Sequence, residues 1–262
     1  ESVVEIASAA KVMRAHAVAI PSPPGQILVD TCGTGGDLSG TFNLSTAAAI
    51  TVATMGAKVA KHGNRSVSSK AGSADVLEAL GVKLGGTPER LAEILQEVGI
   101  SFLFAPAHHA STRYAVAPRK ALGVRTIFNL LGPLTNPAGA QRQVLGVFAA
   151  EWVEPIAQVL KELGSEHALV VHGHGGLDEL SISGPTQVAE LRNGKVTLHQ
   201  VTPEQVGLDR GDLGTLAGGT AQDNAEILRS IFKGERSPRA DAVAYGAGAA
   251  AYVAGLHPSL EE

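Results

Sequence analysis

Residues 26–55 read QILVDTCGTGGDLSGTFNLSTAAAITVATM. Gln26 to Asp30 is a short apolar run, the pattern of a buried strand. Thr31 to Asp37 follows as a loop, where Gly33, Gly35 and Gly36 free several backbone N–H groups to converge on one anion. Asn43 or Ser45 can cap the small-residue helix that runs on to about Met55. A helix N-terminus adds a favourable dipole for the same anion. The loop is neither the dinucleotide pattern G-x-G-x-x-G nor a P-loop with Gly-Lys-Ser/Thr. Taken alone, a glycine turn with an Asp cap accounts for it about as well.

Working outward, strands and helices alternate. Lys58 to Lys61 predicts a second strand, followed by a loop over His62 to Gly72. Ser73 to Leu80 and Pro88 to Val98 predict helices, and Ser101 to Phe104 a short strand. His109 to Leu131 reads as helical pieces broken at Pro118 and Gly123. Gln143 to Phe148 and Ala168 to His172 are buried strands around a helix at Trp152 to Leu163. Gln187 to Leu191 and Lys195 to Gln200 make a hairpin across Asn193-Gly194. Ala221 to Phe232 and Arg239 to Ala254 are helical. Upstream, a helix over Ser2 to Val18 ends at a Pro21 to Gly25 linker. The alternation predicts an α/β fold with a mainly parallel central sheet flanked by helices. Ligand loops then sit at the carboxyl ends of the strands.

Composition bounds the function. At 262 residues the chain can bury a core without disulfides or metal staples. With 44% hydrophobic and 18% charged residues it is not disordered. The single cysteine, Cys32, excludes a disulfide scaffold and a multi-cysteine metal site. No apolar run is long enough for a membrane-spanning helix. No charged-then-apolar leader opens the chain, so a soluble cytoplasmic protein is expected. A net charge of −4 is too mild for a protein that coats polyanions. The charges are nevertheless segregated. Between Asp37 and Asp75 there is no acid but Lys58, Lys61, Arg65 and Lys70. Between Glu97 and Glu151 there is again none, with Arg113, Arg119, Lys120, Arg125 and Arg142. Two acid-free basic windows in an acidic protein point to an anionic ligand on one face.

Three segments carry the chemistry. Lys61-His62-Gly63-Asn64-Arg65-Ser66-Val67-Ser68-Ser69 offers two cations, an amide and three hydroxyls, the inventory for wrapping a phosphorylated sugar. Asn43, Ser45 and Thr46 open an otherwise apolar helix, and hydroxyls can ligate Mg²⁺ or meet phosphate oxygens. Asp178-Glu179 follows the glycine loop Gly173 to Gly176. Beside a phosphate site such hard oxygens suit Mg²⁺, although an adjacent acidic pair on a loop is usually just surface. Arg119 can clamp a carboxylate bidentately or simply face water. His62, His108 and His109 lack metal-ligand spacing and read as pocket-lining groups. Cys32 has no sequence-local partner that would make it a nucleophile.

Together these segments are recognisable. Gly-Thr-Gly-Gly-Asp (33–37), Asn-x-Ser-Thr (43–46), Lys-His-Gly-Asn-Arg-x-x-Ser-Ser (61–69) and Gly-Ser-Ala-Asp-x-Leu-Glu-Ala-Leu-Gly (72–81) occur in order. Leu-Gly-x-Arg-Thr-x-Phe-Asn-Leu-Leu-Gly-Pro-Leu-x-Asn-Pro (122–137) and Gly-Leu-Asp-Glu (176–179) follow. The set resembles the anthranilate phosphoribosyltransferases of tryptophan biosynthesis, in the nucleoside-phosphorylase-like phosphoribosyltransferase group. The resemblance covers nearly the whole chain.

It implies a small all-helical domain beside the large α/β domain, with the active site in the cleft. Residues 1–22 would belong to the small domain. Residues 26–104 and 126–262 would form the two parts of the large one, and 105–125 a helical segment packing with the small domain. The implied reaction joins the anthranilate amine to the ribose of phosphoribosyl pyrophosphate (PRPP) and releases pyrophosphate. By resemblance, PRPP is held by Gly33, Gly36, Asp37, Thr41, Asn43, Ser45, Thr46, the segment Lys61 to Ser69 (Lys61, His62, Gly63, Asn64, Arg65, Ser66, Val67, Ser68, Ser69) and Ser73. Mg²⁺ is held by Ser45, Asp178 and Glu179. Gly33, Asn64, His109 and Arg119 line the anthranilate path. No acid/base residue is implied; Lys61 and the metal site supply electrostatic stabilisation. The implied partners are these small molecules and a second copy in a homodimer, with no nucleic acid or membrane.

Two departures from the family pattern stand out. Ala110-Ser111-Thr112 follows His109 where Pro-Ala-Met is usual. The family pattern also has further helix before residue 1 and after Glu262. Two competing readings make different demands. A pyrimidine-nucleoside phosphorylase would use phosphate without the Asp178-Glu179 pair. A non-catalytic nucleic-acid binder would need a broader basic surface and would not keep these motifs.

Overall fold

The computed structural model describes residues 1–66 and 70–261. Helix α1 (Val3–Ala15) starts at a reciprocal cap, in which Ser2 Oγ accepts from the Glu5 amide and the Glu5 carboxylate accepts from the Ser2 amide. Strand β1 (Val29–Gly33) leads to α2 (Leu44–Thr54), and β2 (Val59–Gly63) leads to α3 (Ser73–Ala79) and α4 (Pro88–Val98). Strand β3 (Ile100–Phe104) runs into the short α5 (Ala105–His108), then α6 (Arg113–Leu122) and α7 (Phe128–Leu131). Strand β4 (Arg142–Gly146), α8 (Val153–Glu162) and β5 (His167–Gly173) complete the parallel part. Strands β6 (Thr186–Arg192) and β7 (Lys195–Val201) precede α9 (Ala221–Phe232) and α10 (Pro238–Ala254).

The seven strands form one sheet in the order β3-β2-β1-β4-β5-β6-β7. The first five are mutually parallel; β6 and β7 add antiparallel. The hairpin turns at Asn193 (φ 52°) and Gly194 (φ 72°), the left-handed pair that a two-residue turn requires.

Both faces of the sheet are covered, so the inner strands are apolar on both sides. Val144, Leu169 and Val171 face α2, α9 and α10. Leu145, Ala168 and Val170 face α1, α7 and α8. On the edge of that second face, α4 packs Leu91 and Leu95 against Ala60 and Leu103. The small residues of α2 and α10 let those helices lie close, with Gly246 facing Ala48. Ile6, Ala7 and Ala10 of α1 share their core with α8. Helix α6 buries no side chain.

Three expectations change. Strand β1 starts at Val29 and includes Thr31, Cys32 and Gly33, because its ladder with β4 continues to a Gly33–Gly146 pair. Pro118 does not break the helix. It lies inside α6, whose exposed surface tolerates one missing backbone bond. Asn43 occupies the cap position of α2 but makes no capping bond. Its amide donates to the Ala71 carbonyl at 3.2 Å and its oxygen accepts from Asn224 at 3.0 Å.

Candidate active site

The cleft lies at the carboxyl ends of β1, β2 and β5, where loops of an open α/β sheet meet ligands. Its floor is made possible by missing Cβ atoms. A Cβ on Gly33 would come within 2.5 Å of Asp178 Oδ2, and one on Gly146 would run into the Asp178 backbone. A Cβ on Gly173 would likewise strike the Glu179 backbone. The Asp178-Glu179 turn, more than 130 residues away in the chain, therefore sits directly on the glycine loop. Asp178 Oδ2 accepts from the Gly35 amide at 2.8 Å, and the Asp178 amide lies 3.4 Å from Asp37 Oδ2. Glu179 Oε1 accepts from the Ser45 amide at 3.1 Å, at the start of α2.

These carboxylates share a crowded site. Burial pushes the Asp178 carboxyl well above the usual range, and Asp37 and Glu179 push it further. Burial lifts Glu179 to about 7 against the pull of Lys61, with Asp37 adding to the rise. Hard oxygens held short of a counter-charge are a donor set that fits Mg²⁺, which takes few protein carboxylates. Among the described residues no three His, Cys, Asp or Glu side chains gather as a metal cage.

Lys61 enters from β2, 2% exposed, and donates to the Thr31 carbonyl. Its Nζ lies 3.5 Å from Ser45 Oγ. Burial lowers its ammonium from the ordinary value, with Asp30 opposing. Thr46 Oγ1 is buried without a hydrogen-bond partner among the described residues. Thr41 is bridged to Ala217 and lies 3.3 Å from Ser39 by their hydroxyls. Ser73 Oγ donates to the Asn64 carbonyl at 3.2 Å, under the glycine contact of Gly63. Arg65 is drawn aside: it pairs with Asp75 at 2.9 Å and with Glu78 at 2.5 Å. Ser66 lies beside them, its amide donating to Asp75 at 3.0 Å. Val67, Ser68 and Ser69 lie outside the described residues.

At the end of β2, His62 and His109 meet edge to face with ring centroids 5.2 Å apart. Burial drives the His62 imidazole down to about 3, with His109 and His108 adding to it. Burial lowers His109 as well. The Nε2 atoms of His62, His108 and His109 have no hydrogen-bond partner among the described residues. Arg119 is half-buried on α6, its guanidinium 5.4 Å from the Phe128 ring centre. Ala110 to Thr112 form a single 3-10 turn closed by a 2.7 Å bond from Thr112 Oγ1 to the His109 carbonyl.

Sequence reasoning left several neighbours unassigned. Arg125 donates to the Gly36 carbonyl at 2.5 Å and stacks on Phe148, tying down the glycine loop. Asp30 and Asn136 hold the end of β2. Arg125 and Asn136 both lie inside the recognised 122–137 motif, and Asp30 is an isolated acid in an apolar strand.

Comparison with known proteins gives the same picture. A family model described as "Glycosyl transferase family, a/b domain" matches residues 25–262. The anthranilate phosphoribosyltransferase of Thioalkalivibrio sulfidiphilus is 54% identical over 262 residues, covering 100% of this chain and 77% of that protein. The enzyme of the same name from Paramagnetospirillum magneticum is 55% identical over 260 residues, covering 99% and 75%. The crystal structure of the Thermus thermophilus anthranilate phosphoribosyltransferase superposes with a TM-score of 0.91 at 50% identity, covering 100% of this chain and 78% of that one. The Saccharomyces cerevisiae enzyme in complex with PRPP and Mg superposes at 0.89 with 30% identity, covering 99% and 73%. With identity above one half along its whole length and the glycine loop, α2 start and acidic turn brought together in one cleft, the chain belongs to the anthranilate phosphoribosyltransferase family.

Proposed function

We propose that this chain transfers the phosphoribosyl group of PRPP to the amine of anthranilate, giving phosphoribosyl-anthranilate and pyrophosphate. The observation that carries this is the packing of Asp178-Glu179 onto Gly33 and Gly35, beside Lys61 and the N-terminus of α2. In this reading the glycine loop, the start of α2 and a buried cation surround one anion, with two carboxylates placed to hold its metal. Gly33, Gly36, Asp37, Thr41, Asn43, Thr46, Ser73 and the Lys61 to Ser69 segment form the PRPP site in this reading. Ser45, Asp178 and Glu179 would hold Mg²⁺, which when bound neutralises charge on the leaving pyrophosphate.

As the bond from the ribose anomeric carbon to pyrophosphate breaks, negative charge builds on the leaving oxygens. In this reading Lys61 and the Gly33 to Asp37 loop line that position, held in place by distant partners before the substrate arrives. The amine nitrogen then bonds to the anomeric carbon from the opposite face and releases one proton to solvent. His62, kept neutral by burial, adds no positive charge beside the developing cationic ribose. Gly33, Asn64, His109 and Arg119 position the acceptor, Arg119 toward its carboxylate. We assign residues 1–22 to the small helical domain, 105–125 to a helical segment packing with it, and 26–104 and 126–262 to the α/β domain, and infer a cytoplasmic homodimer.

Anthranilate fluorescence tests the reading. Adding PRPP and Mg²⁺ to the purified chain should quench it and release pyrophosphate, both dependent on the metal. No quenching, with PRPP still bound in calorimetry, would remove the acceptor assignment; no binding of PRPP would remove the donor assignment as well.

A further inference from the structure

Strands β1 and β2 are joined by a single register pair, Val29 with Val59. Beyond it side chains replace the backbone ladder. Asp30, fully buried, accepts from the His62 amide at 3.1 Å with Oδ1 and from Asn136 Nδ2 at 2.8 Å with Oδ2. The same Nδ2 donates to the Ala60 carbonyl at 2.8 Å, and Asn136 Oδ1 accepts from the Ala138 amide at 2.9 Å. Both hydrogens and the oxygen of the Asn136 amide are thus in use.

The two backbone groups held here, the Ala60 carbonyl and the His62 amide, belong to the peptides on either side of Lys61. The opposite edge of Lys61 is held by its pairing with Phe102 of β3. The backbone of Lys61 is therefore gripped from both sides. In an ordinary parallel pair β1 would supply these bonds at about 4.8 Å between strands. The carboxylate and amide stand in its place, and the Lys61 ammonium reaches the Thr31 carbonyl and the start of α2.

We propose that Asp30 and Asn136 are a positioning pair that aims Lys61 and His62 at the PRPP half of the reaction. The pair touches no substrate; it acts through the β2 end. This rests on the donor reading above, and its consequences are separable from it. A pair with a merely structural role would lower thermal stability and leave the kinetic constants alone. A positioning pair changes the donor constants selectively.

The test is Asn136→Ala, measured by steady-state kinetics and by PRPP calorimetry, alone and combined with Lys61→Met. We expect kcat/KM for PRPP to fall about 10- to 100-fold, the range for partners that orient a site residue. KM for anthranilate should stay within about twofold. With Lys61 already replaced, most of the Asn136→Ala loss in PRPP binding should disappear, because both changes act on one unit. Unchanged PRPP constants, whatever the thermal midpoint, overturn the proposal, as do losses that add fully in the double variant. If Asn136→Ala fails to fold, Asn136→Ser keeps a donor for Asp30 but cannot also reach Ala60. It should show the same selectivity in smaller measure, and equal losses for both substrates would overturn the pair. A wild-type chain that does not bind PRPP removes the donor reading and this pair together. Wild-type binding matched by Asn136→Ala removes the pair alone.

Discussion

The proposed donor and acceptor sides of the cleft are built differently. At the proposed donor side three charged groups are each braced by backbone from a distant segment. Asp178 takes the Gly35 amide, Glu179 the Ser45 amide, and Lys61 the Thr31 carbonyl. At the proposed acceptor side, α6 buries no side chain, and Arg119 has Phe128 as its ring contact. The contrast follows the charges. Pyrophosphate departure concentrates charge in one place, and preorganised dipoles stabilise it only if they cannot relax away. A flat aromatic acid needs a slot and one cation, which a surface helix can supply.

The largest expected break in this comparison comes from the acidic turn. Asp178→Asn with Glu179→Gln should weaken Mg²⁺-dependent PRPP binding by at least about 100-fold in calorimetry. The thermal midpoint of the metal-free chain should not fall, because burial already disfavours both charges. Retained PRPP affinity would show that these carboxylates do not serve the donor.

A smaller effect should come from the other side. Arg119→Ala should raise KM for anthranilate about tenfold and leave KM for PRPP within about twofold, the pattern of lost ground-state binding to one substrate. Equal effects on both would mean that α6 is coupled to the donor side after all.

The smallest effect is read by pH. The folded chain holds the His62 pKa at about 3, below the ordinary histidine value. Between pH 6.5 and 3 the unfolded chain binds a proton that the folded chain refuses. This contribution to stability is whole above pH 6.5 and is lost progressively on acidification. His62→Gln should therefore unfold with a shallower loss of thermal midpoint over that window. Parallel curves for the two chains would show that His62 titrates normally in the fold.

Much of this was legible in the residues themselves. The strand–loop–helix order, the glycine loop and the Asn193-Gly194 hairpin are local, because turn chemistry and hydrophobic periodicity act over a few residues. The six ordered motifs were enough to place the family. Ile27 and Leu28 are as apolar as a strand yet lie outside β1, because its ladder with β4 begins at Val29.

Other features depended on the tertiary structure. Asn43 looks like a cap, yet it bonds to Ala71 and Asn224. Arg65 looks like a phosphate ligand, yet its guanidinium is paired with Asp75 and Glu78. An acidic pair that sequence alone would leave on the surface is seated on Gly33 and Gly146. The seam between β1 and β2 is closed by Asp30 and an asparagine 106 residues away. The sequence by itself determined which groups the chain owns and the local turns that carry them. The tertiary structure decided which groups meet, because partners of buried polar atoms are chosen by strand order and by the burial of both sheet faces, neither of which is a local property.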